Sequence, residues 1–472
     1  RSTAIAGTIK ALVILVNFSD KQFVVPNAQQ VFSNLLNQHN YIATNGAVGS
    51  VRDYFIDNSF GTFQPQFDVY GPYNLPDTMG YYGRNMQGST GYDQNPDIMV
   101  QQACALAYAN GVNFSQYDSN GDGVVDQVFV YYAGNNEAEG GPANTIWPHR
   151  HQVYYYVGSG ANRMLISDYA CSSELRSTGT TSNFMCGIGT FTHEFGHILG
   201  LPDFYATNNA MHHTLNYWDI MDIGCYLNNG FTPAAYSSYE RFFLGWLTPR
   251  VLDAPENAQL NPLNTSNEAL MVTATNTSNL NGTNPNPRLF YMLENRQKTG
   301  WDSFLPGHGL LLTKINYNAG KWANNSVNNT SSSMGVDIIE ADGLANDNPN
   351  TLSGDPFPGT TNVRAYNIVF DDVTTRSLSE INETNNIITF KFMGGTTPTE
   401  NLTTDDLKIF TANEKLFVTT QNNELQTITI FDIFGRQVFS SGFYNSFETN
   451  TNDFPAGIYF VKAGNSVAKV RF

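Results

Sequence analysis

Apolar positions change their period along this chain, and the change marks its parts. Residues 11–18 (ALVILVNF) and 128–132 (VFVYY) are apolar runs of strand length. Helical spacing appears near 28–37, 96–110 and 233–244, while Ile188, Phe191, Phe195 and Ile198 line one face of a further helix. Strands alternating with helices predict an α/β (α+β) domain over residues 1–249. Beyond it the helical period stops. Short β runs at 269–274, 289–293, 309–315, 336–339 and 387–392, separated by Asn, Gly, Pro and Ser turns, predict a β-sandwich over 250–395. A Gly-Gly-Thr-Thr-Pro-Thr stretch at 394–399 has linker composition, so a linker is expected at 396–406. Residues 407–472 then alternate strands and turns as a small all-β domain.

The helix marked by Phe191 and Phe195 also carries chemistry. In Thr192-His193-Glu194-Phe195-Gly196-His197, the two histidines fall one turn apart on the face opposite the apolar stripe. Both imidazoles can then reach one tetrahedral Zn²⁺, and Glu194 points at the water that the metal activates. Gly200 stops the helix, Pro202 cannot continue it, and the chain swings Asp203 back as the third ligand, giving HExxHxxGxxD. Glu240 is the rival third ligand. Two histidines four apart are by themselves compatible with surface or core positions. Glutamate, glycine turn and carboxylate together predict hydrolysis by a water whose pKa zinc lowers to about 7, with Glu194 taking its proton and returning it to the leaving amine. His149, His151, His212, His213 and His308 lie outside this pattern.

Oxygen side chains also alternate in Asp118-Ser119-Asn120-Gly121-Asp122-Gly123-Val124-Val125-Asp126. An EF-hand loop converges its ligands in this way, although here the twelfth-position glutamate is missing and a strand follows. The expectation is Ca²⁺ held by Asp118, Asn120, Asp122, Asp126 and the Val124 carbonyl.

Several separate segments now carry a resemblance: 11–18, 117–133, IWPHR at 146–150, the zinc motif, FLGW at 243–246, LENR at 293–296 and GHG at 307–309. In this order they resemble the secreted immune inhibitor A-type metallopeptidases. The resemblance implies a zincin-like catalytic domain, a zinc endopeptidase made as a secreted precursor, protein or peptide substrates, calcium as a structural ion and a β-domain behind the catalytic unit. The motif is also metzincin-like, and Met221 stands where a metzincin places its Met-turn. Ile223 occupies a position that is tyrosine in some metzincins, so Tyr205, Tyr217 and Tyr226 are all open as oxyanion donors. At the far end, IFDIFGRQV at 430–438, PAGIYFVK at 455–462 and KVRF at 469–472 resemble a sorting domain of the type IX secretion system. That implies the secretion machinery as a partner and a secreted or surface-attached location. A carbohydrate-binding or immunoglobulin-like appendage is the alternative.

Composition narrows the remaining classes. The chain has 472 residues, 41% hydrophobic and 13% aromatic, enough for two or three cores. Its net charge of −17, without a clustered Lys/Arg face, argues against nucleic acid as a partner. No apolar run reaches the ~20 residues of a membrane span. The first residue is Arg1, so signal and prosegment are expected to have been removed. Cys104, Cys171, Cys186 and Cys225 contain no CxxC. A bridge between Cys171 and Cys186 is expected, with free buried thiols as the alternative. Two rival functions remain, a binding protein or adhesin on a degenerate peptidase scaffold and a zinc exopeptidase. The intact Glu194 speaks against the first, and the second needs a charged anchor that no motif supplies.

Overall fold

The computed structural model describes residues 5–86, 92–177, 183–346, 348, 350–370, 374–395, 407–412, 414–420, 424–463 and 466–472. Chain up to Gly394 and chain from Gly395 onward form two compact units.

The first unit begins with β1 (Lys10–Asn17), α1 (Ala28–Asn37), α2 (Val51–Asn58), β2 (Gln66–Asn74), α3 (Met79–Gly83) and α4 (Pro96–Ala109). It continues through β3 (Val128–Asn135), β4 (His149–Val157), β5 (Met164–Ser177), β6 (Asn183–Met185), α5 (Gly189–Leu199) and α6 (Ser238–Leu244). The sheet runs β2-β1-β3-β5-β4, with β6 also paired to β5. β1, β2, β3 and β5 are parallel, and β4 joins β5 antiparallel at the edge. Helices cover both faces of this sheet. Side chains alternate across β1, so Leu12, Ile14 and Val16 enter a core with Met99, Val100 and Ala103 of α4. Val13 and Leu15 enter the other core with Phe32 of α1 and Phe191 and Phe195 of α5.

The chain on both sides of Pro249 belongs to this compact unit. β7 (Arg250–Leu252), β8 (Glu256–Leu260), β9 (Leu270–Thr273), β10 (Leu289–Arg296), β11 (Gly309–Asn316), β12 (Val336–Ile338), β13 (Tyr366–Val369), β14 (Thr375–Thr384) and β15 (Ile387–Phe392) form two sheets, ordered β12-β11-β10-β9-β7 and β13-β14-β15-β8. Val272, Leu293 and Leu312 of one sheet share a core with Ile381, Ile388 and Phe390 of the other. Met271, Phe290 and Met292, at alternate positions, belong instead to the core that holds α5 and α6. The first of these sheets is therefore apolar on both faces and binds the β-rich segment to the preceding helices. Helix α6 starts at Ser238, later than its periodicity predicts, because Ser237 and Glu240 form a reciprocal capping box.

The second unit contains β16 (Leu407–Ala412), β17 (Lys415–Thr420), β18 (Gln426–Asp432), β19 (Gln437–Phe443), β20 (Ser446–Asn450), β21 (Ile458–Ala463) and β22 (Ser466–Arg471). They pair as β16-β17-β20 and β19-β18-β21-β22 around Leu416, Val418, Ile428, Ile430 and Val461. The expected linker at 396–406 lies outside the described residues. Among the described residues, no helix is long and apolar enough to cross a membrane.

The cysteine expectation is corrected. All four thiols are free and buried. Cys171 on β5 belongs to the α4 core, whereas Cys186 belongs to the α5 core. The two point to opposite faces of the sheet and cannot bridge, despite the short loop between them.

Candidate metal centre

Helix α5 presents His193 and His197 with ring centroids 4.9 Å apart and planes nearly perpendicular. Each Nδ1 lies against a backbone carbonyl, 2.7 Å from Ile220 O and 2.8 Å from Leu201 O respectively. An Nδ1–H donated to each carbonyl leaves each Nε2 free to offer a lone pair. Gly200 ends the helix at φ 106°, in the left-handed region that glycine enters without a Cβ penalty. The turn returns Asp203, whose Oδ1 lies 3.2 Å from both Nε2 atoms. These three ligand atoms lie within 4.8 Å of one another. Donors about 2.1 Å from a tetrahedral ion stand roughly 3.4 Å apart, so two imidazoles and one carboxylate fit zinc in both kind and spacing. Among the described residues no other trio of His, Cys, Asp or Glu ligand atoms draws together this closely.

The electrostatics agree with that donor set. Burial disfavours charge on Asp203, yet the two imidazoles hold its carboxyl well below the usual carboxylate range. Burial likewise opposes charge on His193 and His197, and the Asp203 carboxylate overrides it and raises both. Apart from the two Nε2 atoms, Asp203 Oδ1 has no hydrogen-bond partner. Glu194 is buried, and its Oε2 also has no hydrogen-bond partner. Burial raises its proton affinity, while the neighbouring histidines oppose the rise.

These residues line a cleft of about 1280 Å³ whose walls include Trp147, His149, Tyr205, Tyr226 and Asn325. Tyr217 is not one of its walls. His149 is neutral, since burial lowers it to about 4; its Nδ1–H reaches Trp147 O at 2.6 Å and its Nε2 accepts from Tyr169 at 2.8 Å. His151 and His308 are exposed. His212 contacts Asn328 O, and His213 pairs with Glu340. Met221 is fully buried against the zinc-motif helix: a Cβ added at Gly196 would stand 2.7 Å from Met221 Sδ. The Met221 carbonyl accepts the Phe204 N–H at 2.8 Å, tying this turn to the residue after Asp203.

Glu240 is not in the cluster. Its Oε2 accepts the Ser237 N–H at 2.6 Å in the α6 cap. The residue that spacing missed is Asn325. Its Nδ2 donates to Asp203 Oδ2 at 2.6 Å, and its Oδ1 accepts the Asp203 N–H at 2.7 Å. Its left-handed backbone, φ 50°, is one that asparagine adopts readily, but nothing in the sequence connects that preference to a position 122 residues earlier.

In the acidic loop, Asp118 accepts N–H groups from Gly121, Asp122 and Gly123 at 2.8, 3.1 and 2.9 Å. Asp122 accepts from Val124 and Asn120, both at 2.9 Å, and Asp126 accepts from Ser119 at 2.8 Å. These oxygens serve the loop's own donors, and the carboxylates are not gathered as the zinc-motif donors are.

A mixed α/β unit with this cluster has the makings of a metallopeptidase, and the family comparison agrees. The profile for immune inhibitor A peptidase M6, catalytic domain, matches residues 3–247, over half of the chain, and the chain belongs to that family. Residues 396–458 match a domain of unknown function, DUF8694. Pre-pro-metalloprotease PrtV of Vibrio cholerae serotype O1 is 28% identical over 247 residues, 48% of this chain and 25% of PrtV. Immune inhibitor A of Bacillus thuringiensis subsp. alesti is 25% identical over 280 residues, 50% of this chain and 39% of that protein. The chain therefore spans well under half the length of either relative. OgpA from Akkermansia muciniphila is similar at TM-score 0.21 and 11% identity, over 100% of this chain and 93% of that one.

Proposed function

We propose that this metallopeptidase is a zinc-dependent endopeptidase in which His193, His197 and Asp203 hold the metal and Glu194 is the general base. The supporting observation is the convergence of two Nε2 atoms on Asp203 Oδ1 at 3.2 Å, beside a buried Glu194 oxygen with no partner. Zinc in such a donor set supplies Lewis acidity, lowering the pKa of water to about 7 and polarising the scissile carbonyl. The Ile220 and Leu201 carbonyls hold the imidazoles in the tautomer a metal needs, and Asn325 holds the carboxylate. Glu194 takes the proton of the attacking water and returns it to the leaving amine. Met221 is the floor of the site.

Replacing Glu194 by Ala should keep zinc and lower casein cleavage by roughly 10²–10⁴-fold, whereas His193→Ala should lose both zinc and activity. Near wild-type cleavage by Glu194→Ala would overturn the assignment of Glu194 as the base.

The same reading extends to the flanking parts. Residues 1–249 carry the catalytic site and 250–395 buttress it as a β-sandwich. The loop of Asp118, Asn120, Asp122, Val124 and Asp126 takes Ca²⁺ as a structural ion, on the strength of its alternating oxygens. Residues 407–472, which have their own core, act as a type IX sorting signal, so the enzyme works outside the cell.

A further inference from the structure

We propose that Asp219 and Glu240 share one proton, and that this carboxyl–carboxylate pair positions the Met221 turn and, through it, two of the metal donors. The consequence for the metal rests on the peptidase reading; the shared proton does not.

Both side chains are fully buried, Asp219 at 1% and Glu240 at 0% exposure. Asp219 Oδ1 accepts the Met221 N–H at 2.8 Å, and Glu240 Oε2 accepts the Ser237 N–H at 2.6 Å. Each carboxyl then has one oxygen left, Asp219 Oδ2 and Glu240 Oε1, with no donor for either. One guanidinium joins the two neighbourhoods, Arg296 donating to Trp218 O beside Asp219 at 3.4 Å and to Ala235 O before the α6 cap at 3.3 Å. Burial, and then the Asp219 charge, raise the proton affinity of Glu240. Two adjacent carboxylates in an interior cannot both ionise, and one proton between them satisfies both orphaned oxygens at once.

Among the described residues around the pair, the charged donors are engaged elsewhere. Arg296 faces both carboxyls, but its guanidinium is engaged by Asp302 at 2.6 and 2.9 Å and by Glu294 at 3.2 Å. Arg241, next to Glu240, donates to Tyr236 O, Asn267 and Asn58. Asp222 adds negative charge beside Asp219 and accepts from Thr214 and the Asn216 N–H. Tyr236 faces both acids and Tyr54 and Tyr239 face Glu240; all three phenols are kept protonated by burial.

Asp219 also shapes the turn through its carbonyl, which accepts the Gly224 N–H at 2.9 Å and the Asp222 N–H at 3.3 Å. From that turn, Ile220 O holds His193 Nδ1 at 2.7 Å, and Met221 O holds the Phe204 N–H at 2.8 Å, next to Asp203. The shared proton thus fastens α6 to a turn that orients two metal donors. Without it, two buried carboxylates repel, and the turn loosens.

Burial, and the Asp219 charge beside it, hold the Glu240 proton above the usual carboxylate range. An unfolded chain releases the equivalent proton near pH 4, so above that pH the folded state binds one proton more, and stability falls as pH rises until the folded pair titrates. Glu240→Gln replaces the shared proton with an amide N–H that does not titrate.

The test uses the full-length chain, first metal-free. Infrared spectra at neutral pH should show a protonated-carboxyl band in the wild type that Glu240→Gln lacks. Between about pH 5 and pH 9 the wild-type thermal midpoint should fall relative to that variant. With zinc added under chelator competition, Glu240→Ala should bind roughly tenfold or more weakly, and Glu240→Gln should restore the affinity. Identical bands, or a midpoint difference that stays flat with pH, would overturn the pair. If neither protein binds zinc, the peptidase reading fails, while the infrared band still decides the proton.

Discussion

Asn325 and Asp203 form a reciprocal pair across 122 residues of chain: the amide Nδ2 donates to the carboxylate at 2.6 Å, and the amide Oδ1 accepts the Asp203 N–H at 2.7 Å. Backbone and side chain of Asp203 are thus fixed by one residue. Asn325→Ala should lower zinc affinity about 10–100-fold while leaving the fold intact, because outer partners orient a ligand rather than bind the metal. Chelator competition measures this directly. An unchanged affinity would show that the Gly200 turn alone sets the carboxylate.

Gly196 illustrates a second constraint on the same helix. A Cβ there would meet Met221 Sδ at 2.7 Å and Tyr236 Oη at 3.0 Å, so the helix and the Met221 turn are packed at glycine distance. Gly196→Ala should cost about 1–3 kcal/mol by overpacking, read as a lower urea midpoint with an unchanged m-value. Adding Met221→Ala should relieve part of that cost, making the double variant non-additive. Additive losses would mean that the contact is not with Met221.

These constraints explain what was legible in the sequence. The spacing of His193, His197, Phe191 and Phe195 is local, and a helix converts it directly into two faces, so motif and core face were readable together. Asp203 was readable because Gly200 and Pro202 restrict where the chain can go. Glu240 was a fair rival until its carboxylate was seen capping α6, which uses the same residue type for another purpose. Tertiary partners were not readable. Asn325 reaches the site only through the packing of the β-rich segment. Cys171 and Cys186 looked pairable from loop length, but the alternation of β5 sends Cys171 into the opposite core. The packing of β9 and β10 was not readable either, since Met271, Phe290 and Met292 join the helical core only through alternation along paired strands.

Calcium should act on stability rather than on the zinc centre. An ion bound only by the folded state stabilises by mass action, about 2.7 kcal/mol at a hundredfold excess over its dissociation constant. Stripping calcium should therefore lower the thermal midpoint while zinc content is retained, and Asp122→Ala should remove the response. The loop's N–H groups already have acceptors in Asp118, Asp122 and Asp126, so the loop stays closed without an ion. A midpoint indifferent to calcium over a wide range would reduce it to a hydrogen-bonded turn.

Removing residues 407–472 should leave a folded, active peptidase that the producing bacterium no longer exports. The second unit has its own core of Leu416, Val418, Ile428, Ile430 and Val461, and the first unit is compact up to Gly394. The cut therefore exposes little core, and melting of the first unit should be nearly unchanged. Circular dichroism reads the fold, casein cleavage with and without a zinc chelator reads the activity, and fractionation of the bacterium reads the location. Normal levels of the truncated protein in the medium or at the surface would make the segment an accessory domain without an address. A misfolded product would instead show that the first unit needs the second to hold its core.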